Sequence, residues 1–411
     1  MPSNQTGPSC HQRRSVYLGV FLVSSSALML ELILTRIFSV KLYYHYAFMV
    51  ISLALLGSGA SGVYIYLFPE FFRRERLQKH LYFFSLGFAA SIPVVLWLVL
   101  QLDFQLVLEP SMILRVVLLY SVPAVPFFLG GMCLSLAMTH FSQDVSRVYF
   151  FDLTGAGFGC LLVIPLLTWL GGPSAMLSLS CVAALACYFF ALLLPGKARW
   201  SPVVLLLLVA STLVYETHDP FLTIKHVKGR NEGPALLTKW NSFSRITVVQ
   251  VNHDPQNTWI IMDGDAGTQM PNFQGDLRPW QYLRNTISSL AYYLKPDAET
   301  LIIGPGGGID VLTALVFGST RVTGVEINPI TVNDVMRGAF RNFTGGLYDL
   351  PQVHAVVDEG RSFIRKEKKQ YDIIQATLVD TWAATAAGAF VLTENNLYTV
   401  EAFKDYLSKL R

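Results

Sequence analysis

Long apolar runs dominate the first half of the chain, and a more polar pattern replaces them from about residue 216. The runs carry almost no charge and extend over about 16 to 27 residues, which is enough for a helix to cross a hydrocarbon core of about 30 Å. Seven such runs lie near 16–35, 43–68, 81–101, 112–138, 148–170, 173–194 and 200–215. We therefore predict a multi-pass α-helical membrane domain over residues 1–215, surrounded by the lipid bilayer.

The charges between the runs leave the orientation of this domain open. If every run crosses, Arg13, Arg14, the basic cluster at 73–79 and Lys197 fall on one side, which puts the N-terminus in the cytoplasm. Seven crossings would then put the C-terminal part outside, where nucleoside cofactors are scarce. The run at 200–215 spans only about 24 Å as a helix. If it lies in the interface instead, the C-terminal part returns to the cytoplasm.

Composition supports this division and argues against several functions. Apolar residues make up 52% of the chain and charged residues 14%, which is too apolar for an ordinary soluble protein. The net charge of +3 is small and does not suggest nucleic-acid binding. The five cysteines form no CxxC pair, and no His/Cys cluster has the spacing of metal ligands. We therefore expect no metal and no structural disulfide.

Two acids fall within or near the predicted spans. Glu31 precedes Arg36 by five residues, and Asp152 follows Arg147 by five. An acid in lipid is costly and often functional, but an acid close to the interface can instead pair with a neighbouring arginine. Both interpretations stand for each residue.

Small residues are concentrated at Gly155-Ala-Gly-Phe-Gly159, which contains a GxxxG spacing. This spacing lets two helix backbones approach closely. We predict a helix-packing site here, with a substrate path as the alternative.

The polar half predicts a small β-rich lead-in domain over 216–296 and a Rossmann-like domain over 297–411. In the lead-in domain we expect strands at 244–251 and 258–262, a polar loop over Asp263–Gln269 and a helix over 279–294. In the Rossmann-like domain we expect strands near 300–304, 321–326, 353–357 and 371–376, with helices near 308–317, 329–341 and 399–410.

The glycine cluster after the first of these parallel strands is the main candidate for a binding site. Leu301-Ile-Ile-Gly-Pro-Gly-Gly-Gly-Ile-Asp310 takes a strand into a helix, and Glu326 ends the next apolar run. The glycines allow a tight turn and close approach to a ligand, and the acid can accept hydrogen bonds from ribose hydroxyls. The order of strand, glycines, helix and acid predicts a nucleoside site, against the alternative of a glycine-rich turn without a ligand. Its members are Gly304, Gly306, Gly307, Gly308 and Glu326.

Two further groups of acids follow later strands. Asp358 and Glu359 end the third strand, where an acid can accept a hydrogen bond from an adenine amino group. Asp380 follows the fourth strand, at the sheet edge where open α/β sheets bind ligands. The alternative for Asp380 is an ordinary surface acid in a loop.

Residues 241–410 resemble the spermidine synthase family, in which a methyltransferase-like Rossmann domain follows a small β-domain. The resemblance rests on Leu301-Ile-Ile-Gly304 with its glycines, Val325-Glu-Ile-Asn-Pro329, Glu359-Gly360 and Tyr371-Asp-Ile-Ile374. The apolar half resembles the membrane segment of multi-pass bacterial relatives at Glu31-Leu-Ile-Leu-Thr-Arg36 and Asp152-Leu-Thr-Gly-Ala156.

The resemblance implies an enzyme of the bacterial inner membrane that transfers an aminopropyl group to a small-molecule amine. It implies S-adenosylmethionine or its decarboxylated form as the substrate, and no metal. Glu326 would then hold the ribose, Asp358 or Glu359 the adenine, and Asp380 the amine. Gln269 belongs to a segment that loosely resembles the family's Leu-Asp-Gly-x-x-Gln and is a further binding candidate. A homodimer is compatible with the sequence.

The chain departs from the family pattern at two acids. Gly307 stands where the family has an aspartate for the aminopropyl ammonium, and Thr377 stands where it has the base. An acid at 307 would repel the carboxylate of S-adenosylmethionine, so glycine removes that discrimination. A methyltransferase is therefore one alternative. A transporter or sensor that binds a nucleoside without catalysis is another, with Glu31 and Asp152 as its working residues.

A methyltransferase-like sheet usually has further strands after the fourth. The chain ends at Arg411, directly after the helix predicted near 399–410. We expect these C-terminal strands to be missing.

Overall fold

The computed structural model describes residues 10–42, 44–102, 110–377, 379 and 396–411. This described chain divides into two compact units. One is formed mainly by residues up to Asn231, and the other by Glu232–Lys239 and the described residues from Ser244 onward.

Long apolar helices build the first unit. They are α1 (Cys10–Lys41), α2 (Tyr44–Leu67), α3 (Leu77–Gln101), α4 (Pro110–His140), α5 (Val145–Ala191) and α6 (Trp200–His218). Within the described residues, six helices are long and apolar enough to cross a membrane. The sequence predicts seven runs, and two of them lie within α5. Gly171 has non-helical dihedral angles there (φ 76°, ψ 172°), so α5 consists of two helical segments joined at a break.

Small residues bring α1 and α5 into close contact. A Cβ atom added at Gly155 would lie 2.3 Å from the backbone oxygen of Phe21, and one added at Gly159 would lie 2.6 Å from that of Ser25. Real side chains do not tolerate such distances, so glycine is required at both positions. These contacts confirm the helix-packing interpretation of the GxxxG spacing.

Among the described residues, Asp152 does not form the ion pair with Arg147 considered above. Arg147 lies 4.0 Å from Asp144, in the turn before α5, rather than on Asp152. The backbone carbonyl of Asp152 accepts a hydrogen bond of 2.8 Å from the Ser24 hydroxyl. Asp152 thus marks a second contact between α1 and α5.

The second unit begins with an antiparallel sheet. The short pair β1 (His226–Val227) and β2 (Arg230–Asn231) precedes it, and its strands are β3 (Ala235–Trp240), β4 (Arg245–Gln250), β5 (Thr258–Met262) and β6 (Ala266–Gln269), in that order. The hairpin predicted over 244–262 is confirmed, with Ile246 opposite Met262 and Gln250 opposite Thr258.

Two predictions for this region are wrong. The segment Asp263–Gln269 is not a loop, because a turn with positive φ at Asp263 and Gly264 returns the chain as β6. The helix predicted over 279–294 is divided into 3₁₀ turns at Arg278–Asn285 and Ile287–Ser289 and a short helix, α7 (Leu290–Leu294). Thr286 interrupts it in an extended conformation.

A parallel sheet follows and confirms the predicted strands. Its members are β7 (Glu299–Ile303), β8 (Arg321–Glu326), β9 (Val353–Val357) and β10 (Ile373–Ala376). Their spatial order is β10-β7-β8-β9. The chain proceeds from β7 to β8 and β9 on one side and places β10 on the other, so a topological switch point lies between β7 and β10.

The segments that follow the strands are helical. They are α8 (Ile309–Val316), a π-helix (Ile330–Ala339), α9 (Gly360–Lys366) and α10 (Val400–Leu407). All but α9 were predicted. The apolar face of α8 packs on the sheet, with Val311 and Leu312 buried beside Ile302 and Val322. This core fixes the carboxyl ends of the strands, where the candidate residues lie.

Candidate functional site

The glycine loop turns β7 sharply into α8. Gly304, Gly306 and Gly308 have φ values of 68°, 52° and 98°, a region in which other residues are strained. The Gly308 amide donates to the Pro305 carbonyl at 2.8 Å, which closes the turn. The three glycines are therefore required by the backbone itself.

Strand β6 packs directly on this loop. A Cβ atom at Gly307 would lie 2.1 Å from the backbone oxygen of Gln269, and one at Gly306 would lie 2.9 Å from the Thr268 side chain. The Gly307 amide also donates to the Thr268 hydroxyl at 3.1 Å. With β6 in this position no side chain fits at 307, which gives a steric reason for the glycine found there.

Glu326 faces the glycine loop. Its Oε2 atom accepts a hydrogen bond of 3.1 Å from the Gly306 amide, and its Oε1 atom accepts one of 3.1 Å from the Asn328 amide. The residue is 6% exposed. Burial raises the pKa of its carboxyl group, and the backbone amides of Asn328 and Gly306 oppose that shift. Since a carboxylate has about four acceptor sites, capacity remains for a ligand hydroxyl.

Asn328 holds the segment after Glu326 in place. Its side-chain amide donates to the Ser244 hydroxyl at 2.7 Å, and its Oδ1 atom accepts from the Ile330 amide at 3.2 Å. Both contacts orient the turn between β8 and the π-helix. They tie the acid at the strand end to the residue just before β4.

Tyr348 braces the loop from the other side, and sequence reasoning missed it. Its hydroxyl donates to the Gly306 carbonyl at 2.7 Å, and the residue is 1% exposed. Burial, together with the charges of Glu326 and Asp310, holds the pKa of this hydroxyl well above its ordinary value. Tyr348 therefore remains a hydrogen-bond donor at neutral pH. No local sequence motif predicts this contact, because Tyr348 and Gly306 are 42 residues apart along the chain.

Asp358 and Glu359 occupy different environments at the end of β9. The Asp358 amide donates to the Glu326 carbonyl at 3.2 Å, so Asp358 lies beside Glu326 at the same sheet edge. Lys366 approaches its carboxylate to 3.4 Å. Glu359 instead caps α9, with its carboxylate accepting from the amides of Arg361 and Ser362 at 2.9 and 2.8 Å. Asp358 is thus the better placed of the two for a ligand.

The two remaining candidates lie apart from this group. The Gln269 side chain donates to the Gln256 carbonyl at 3.3 Å, in the turn that precedes β5. The β6 side chain that contacts the glycine loop is Thr268, one residue earlier. Asp380 lies outside the residues that the structure describes.

A second polar cluster, which sequence reasoning also missed, lies where β10 ends. Asp310, in the first turn of α8, lies close to the side chains of Thr377 and Gln375. The Gln375 amide donates to the Thr377 hydroxyl at 2.8 Å, and the Tyr292 hydroxyl donates to Gln375 Oε1 at 2.5 Å. Burial raises the pKa of Asp310, and the neighbouring polar side chains of Thr377 and Gln375 oppose the shift.

The loop is not built to hold a phosphate. Its Gly306, Gly307 and Gly308 amides donate to Glu326, Thr268 and Pro305, so the backbone donors that would bind phosphate oxygens are already engaged. The acids at the sheet edge would also repel an anion. This edge favours a ligand with hydroxyl and cationic groups. Among the described residues, no group of three or more His, Cys, Asp or Glu is arranged to hold a metal ion.

Part of the chain is similar in structure to solved spermidine synthases. The enzyme from Thermotoga maritima is 18% identical over 44% of this chain and 55% of its own, with a TM-score of 0.33. A spermidine synthase in complex with the transition state analogue AdoDATO is 17% identical over 44% of this chain and 54% of its own, with a TM-score of 0.32. This chain spans about half the length of both structures. No protein-family model and no curated protein matches the chain.

Proposed function

We propose that the protein is a membrane-anchored transferase of the spermidine synthase type, which binds an adenosyl sulfonium nucleoside. The observation that carries the proposal is the position of Glu326, whose carboxylate is held against the glycine loop by two backbone amides. A carboxylate fixed at the end of the strand next to such a loop is suited to hold ribose hydroxyls. Asp358, beside it at the same edge, is suited to the adenine amino group.

The proposed reaction is aminopropyl transfer from decarboxylated S-adenosylmethionine to an amine. The amine nitrogen forms a bond to the propyl carbon attached to sulfur. The carbon–sulfur bond breaks with its electron pair going to sulfur, and the nitrogen releases a proton. The products are a neutral thioether nucleoside and a longer amine. The long helices of the first unit would anchor the enzyme in a cell membrane.

Methyl transfer from S-adenosylmethionine is the second candidate, and the packing at Gly307 favours it. Since β6 leaves no room for an acid there, nothing at that position would repel the carboxylate of the ordinary nucleoside. The bond changes are the same, with a methyl carbon in place of the propyl carbon.

Calorimetry on the full-length protein in detergent tests nucleoside binding. We expect S-adenosylmethionine or its decarboxylated form to bind, and Glu326→Gln to weaken binding about 10- to 100-fold, as expected for lost charge-assisted hydrogen bonds. The matched control is Glu401→Gln, which changes an exposed glutamate in the first turn of α10 and should bind like the wild type. Equal affinity of Glu326→Gln and the wild type would overturn the proposal.

Product analysis separates the two reactions. Mass spectrometry after incubation with amines should detect methylthioadenosine if an aminopropyl group moves, and S-adenosylhomocysteine if a methyl group moves. Binding without either product would instead support a sensor.

A further inference from the structure

Contacts between helices show which connecting segments of the first unit share one end. Nε2 of His140, the last residue of α4, lies 2.8 Å from the carbonyl oxygen of Phe72, which precedes α3. The hydroxyl groups of Tyr82 in α3 and Ser201 in α6 are 2.5 Å apart. The thiol of Cys187, near the end of α5, donates to the Tyr82 carbonyl at 3.6 Å. The segments before α3 and α6 and after α4 and α5 therefore lie at one end.

Helix α1 begins at the same end. A Cβ atom added at Gly19 would lie 2.5 Å from the ring of Phe190, near the end of α5. Arg13 forms an ion pair of 2.7 Å with Asp144, in the turn before α5. We call this end of the first unit the basic end. Its segments are residues 10–14, 68–79, 141–147 and 192–199.

Charge is distributed unevenly between the two ends of the helices. Residues 68–79 contain four Lys or Arg and two acids, and residues 192–199 contain two Lys or Arg and no acid. Residues 102–109, which follow α3 at its other end, contain two acids and no Lys or Arg. Since α3 has 25 residues and is about 37 Å long, its two ends lie far apart. The excess of positive charge therefore belongs to the basic end.

Exposed aromatic rings flank the longest of these basic segments. Tyr66 is 83% exposed, and Phe68 and Phe71 are 50% and 51% exposed. Aromatic and basic side chains together are typical of segments that lie at the boundary between lipid headgroups and acyl chains. In such a place the rings contact acyl chains and the cations contact headgroups. The rings therefore favour a position of residues 68–79 at the level of the lipid phosphates.

Three cations of this segment are available to a headgroup. Arg73 forms an ion pair with Glu70. Arg74, Arg76 and Lys79 are exposed, and within the part of the chain that the structure describes none of the three forms an ion pair. Exposed cations beside a membrane attract anionic lipids, and phosphate oxygens accept charge-assisted hydrogen bonds from them.

A purely topological role accounts for only part of this arrangement. Segments rich in Lys and Arg stay on the cytoplasmic side of a membrane, and this effect depends on the number of positive charges. It requires no exposed aromatic rings beside the cations. A surface that binds headgroups requires both.

We propose that residues 68–79 bind the headgroups of anionic phospholipids through Arg74, Arg76 and Lys79. This inference rests on the membrane anchoring in the proposed function and deepens it, because it names the class of lipid that the anchor selects. An anionic headgroup supplies the counter-charge that the three cations lack. A zwitterionic headgroup has no net charge and binds them less strongly.

The test follows the melting temperature of the full-length protein in detergent micelles as lipid is added. A lipid that binds the folded protein raises this temperature, and its half-maximal concentration gives an apparent affinity. We expect phosphatidylglycerol to act at lower concentration than phosphatidylcholine with the same acyl chains. The triple variant Arg74→Gln/Arg76→Gln/Lys79→Gln should need about 10- to 100-fold more phosphatidylglycerol. Its response to phosphatidylcholine should equal that of the wild type, which also shows that the variant is folded.

The matched control removes three exposed cations from the second unit. Arg365→Gln/Lys368→Gln/Lys404→Gln makes the same change in net charge and should respond to both lipids like the wild type. A measurement on the wild type needs no variant. Because exposed charges are screened by salt, about 0.5 M NaCl should weaken the effect of phosphatidylglycerol and leave that of phosphatidylcholine unchanged.

The outcomes separate this inference from the proposed function. Loss of the preference for phosphatidylglycerol in the first triple variant alone supports the inference. Equal responses of the wild type to both lipids, or an unchanged preference in that variant, overturn it and leave a topological role. Inorganic phosphate that abolishes the effect of phosphatidylglycerol at equal ionic strength also overturns it, because the site then takes a free anion. If alkaline carbonate extracts the protein from membranes without detergent, the anchoring fails and the inference fails with it.

Discussion

The backbone amide of Gly306 donates a hydrogen bond of 3.1 Å to Oε2 of Glu326. The bond joins the glycine loop after β7 to the acid that ends β8, so the two halves of the candidate nucleoside site orient each other. The same bond occupies the Gly306 N–H group, which is one of the loop's backbone donors. The geometry therefore suits a hydroxyl-bearing ligand on the acid better than an anion on the loop.

The contact between Gly307 and β6 predicts a large effect from a single methyl group. Gly307→Ala puts a Cβ atom 2.1 Å from the backbone oxygen of Gln269, and this clash can be relieved only by moving backbone. We expect the free energy of unfolding of the second unit to fall by about 1–3 kcal/mol or more. Thermal unfolding of the intact protein measures it.

The control is Gly233→Ala. A Cβ atom there has no neighbour within 4 Å, so we expect a change of at most about 0.5 kcal/mol. Equal stability of the two variants would contradict the packing of β6 on the loop.

Removal of the Tyr348 hydroxyl should loosen the glycine loop. Tyr348→Phe leaves the Gly306 carbonyl without its donor in a buried place, which should cost about 1–3 kcal/mol of stability. Because the same loop orients Glu326, nucleoside affinity measured by calorimetry should fall as well. Tyr282→Phe, at a ring that is exposed, should change neither quantity. If Tyr348→Phe melts at the same temperature as the wild type, the proposed role of the Tyr348 hydroxyl is refuted.

The raised pKa of Glu326 predicts how stability depends on pH. Its pKa in the folded protein lies above the ordinary value of 4.5, chiefly because of burial. Between these two values the folded protein holds more of the proton than the unfolded chain does. The free energy of unfolding should therefore fall as the pH rises through this window, and the contribution of Glu326 should become constant above it.

The measurement is the melting temperature as a function of pH, for the wild type and for Glu326→Gln. The variant cannot ionise at this position, so its curve should fall less over the window. Parallel curves would show that Glu326 ionises alike in the folded and unfolded states.

The α1–α5 contact predicts opposite outcomes at neighbouring glycines. Gly155→Ala places a Cβ atom 2.3 Å from the Phe21 oxygen, so the two helices must separate and the melting temperature of the first unit should drop. Gly157→Ala meets no neighbour within 4 Å and should leave it unchanged or slightly higher, since alanine favours helix. The same response at both positions would argue against the helix-packing role.

The strands of the parallel sheet were predictable because each is an apolar run that ends at a glycine or an acid. The direction of Glu326 was predictable for the same reason, since neighbouring parallel strands end at one edge. Strand β6 was not, because it depends on positive φ at Asp263, which a residue other than glycine rarely adopts. Because β6 was not predicted, Gln269 was chosen as the binding candidate in this segment, whereas the side chain that contacts the glycine loop is Thr268.

Asp310 and Tyr348 were missed for another reason. Both have neighbours in the folded protein that lie many residues away along the chain. Asp310 also follows the glycine loop as an ordinary member of a helix's first turn. A local pattern gives no reason to separate it from a surface acid.

The close approach of β6 to Gly307 has a consequence for how such a chain can evolve. An aspartate at 307 requires β6 to lie farther from the loop, and a displaced β6 would leave a gap beside a glycine. The aspartate at 307 and the displacement of β6 would each lower stability alone, whereas together they would fit each other. Selection would therefore have to pass through a shift of β6 before an acid could enter at 307, which makes the history of this position dependent on the order of its mutations.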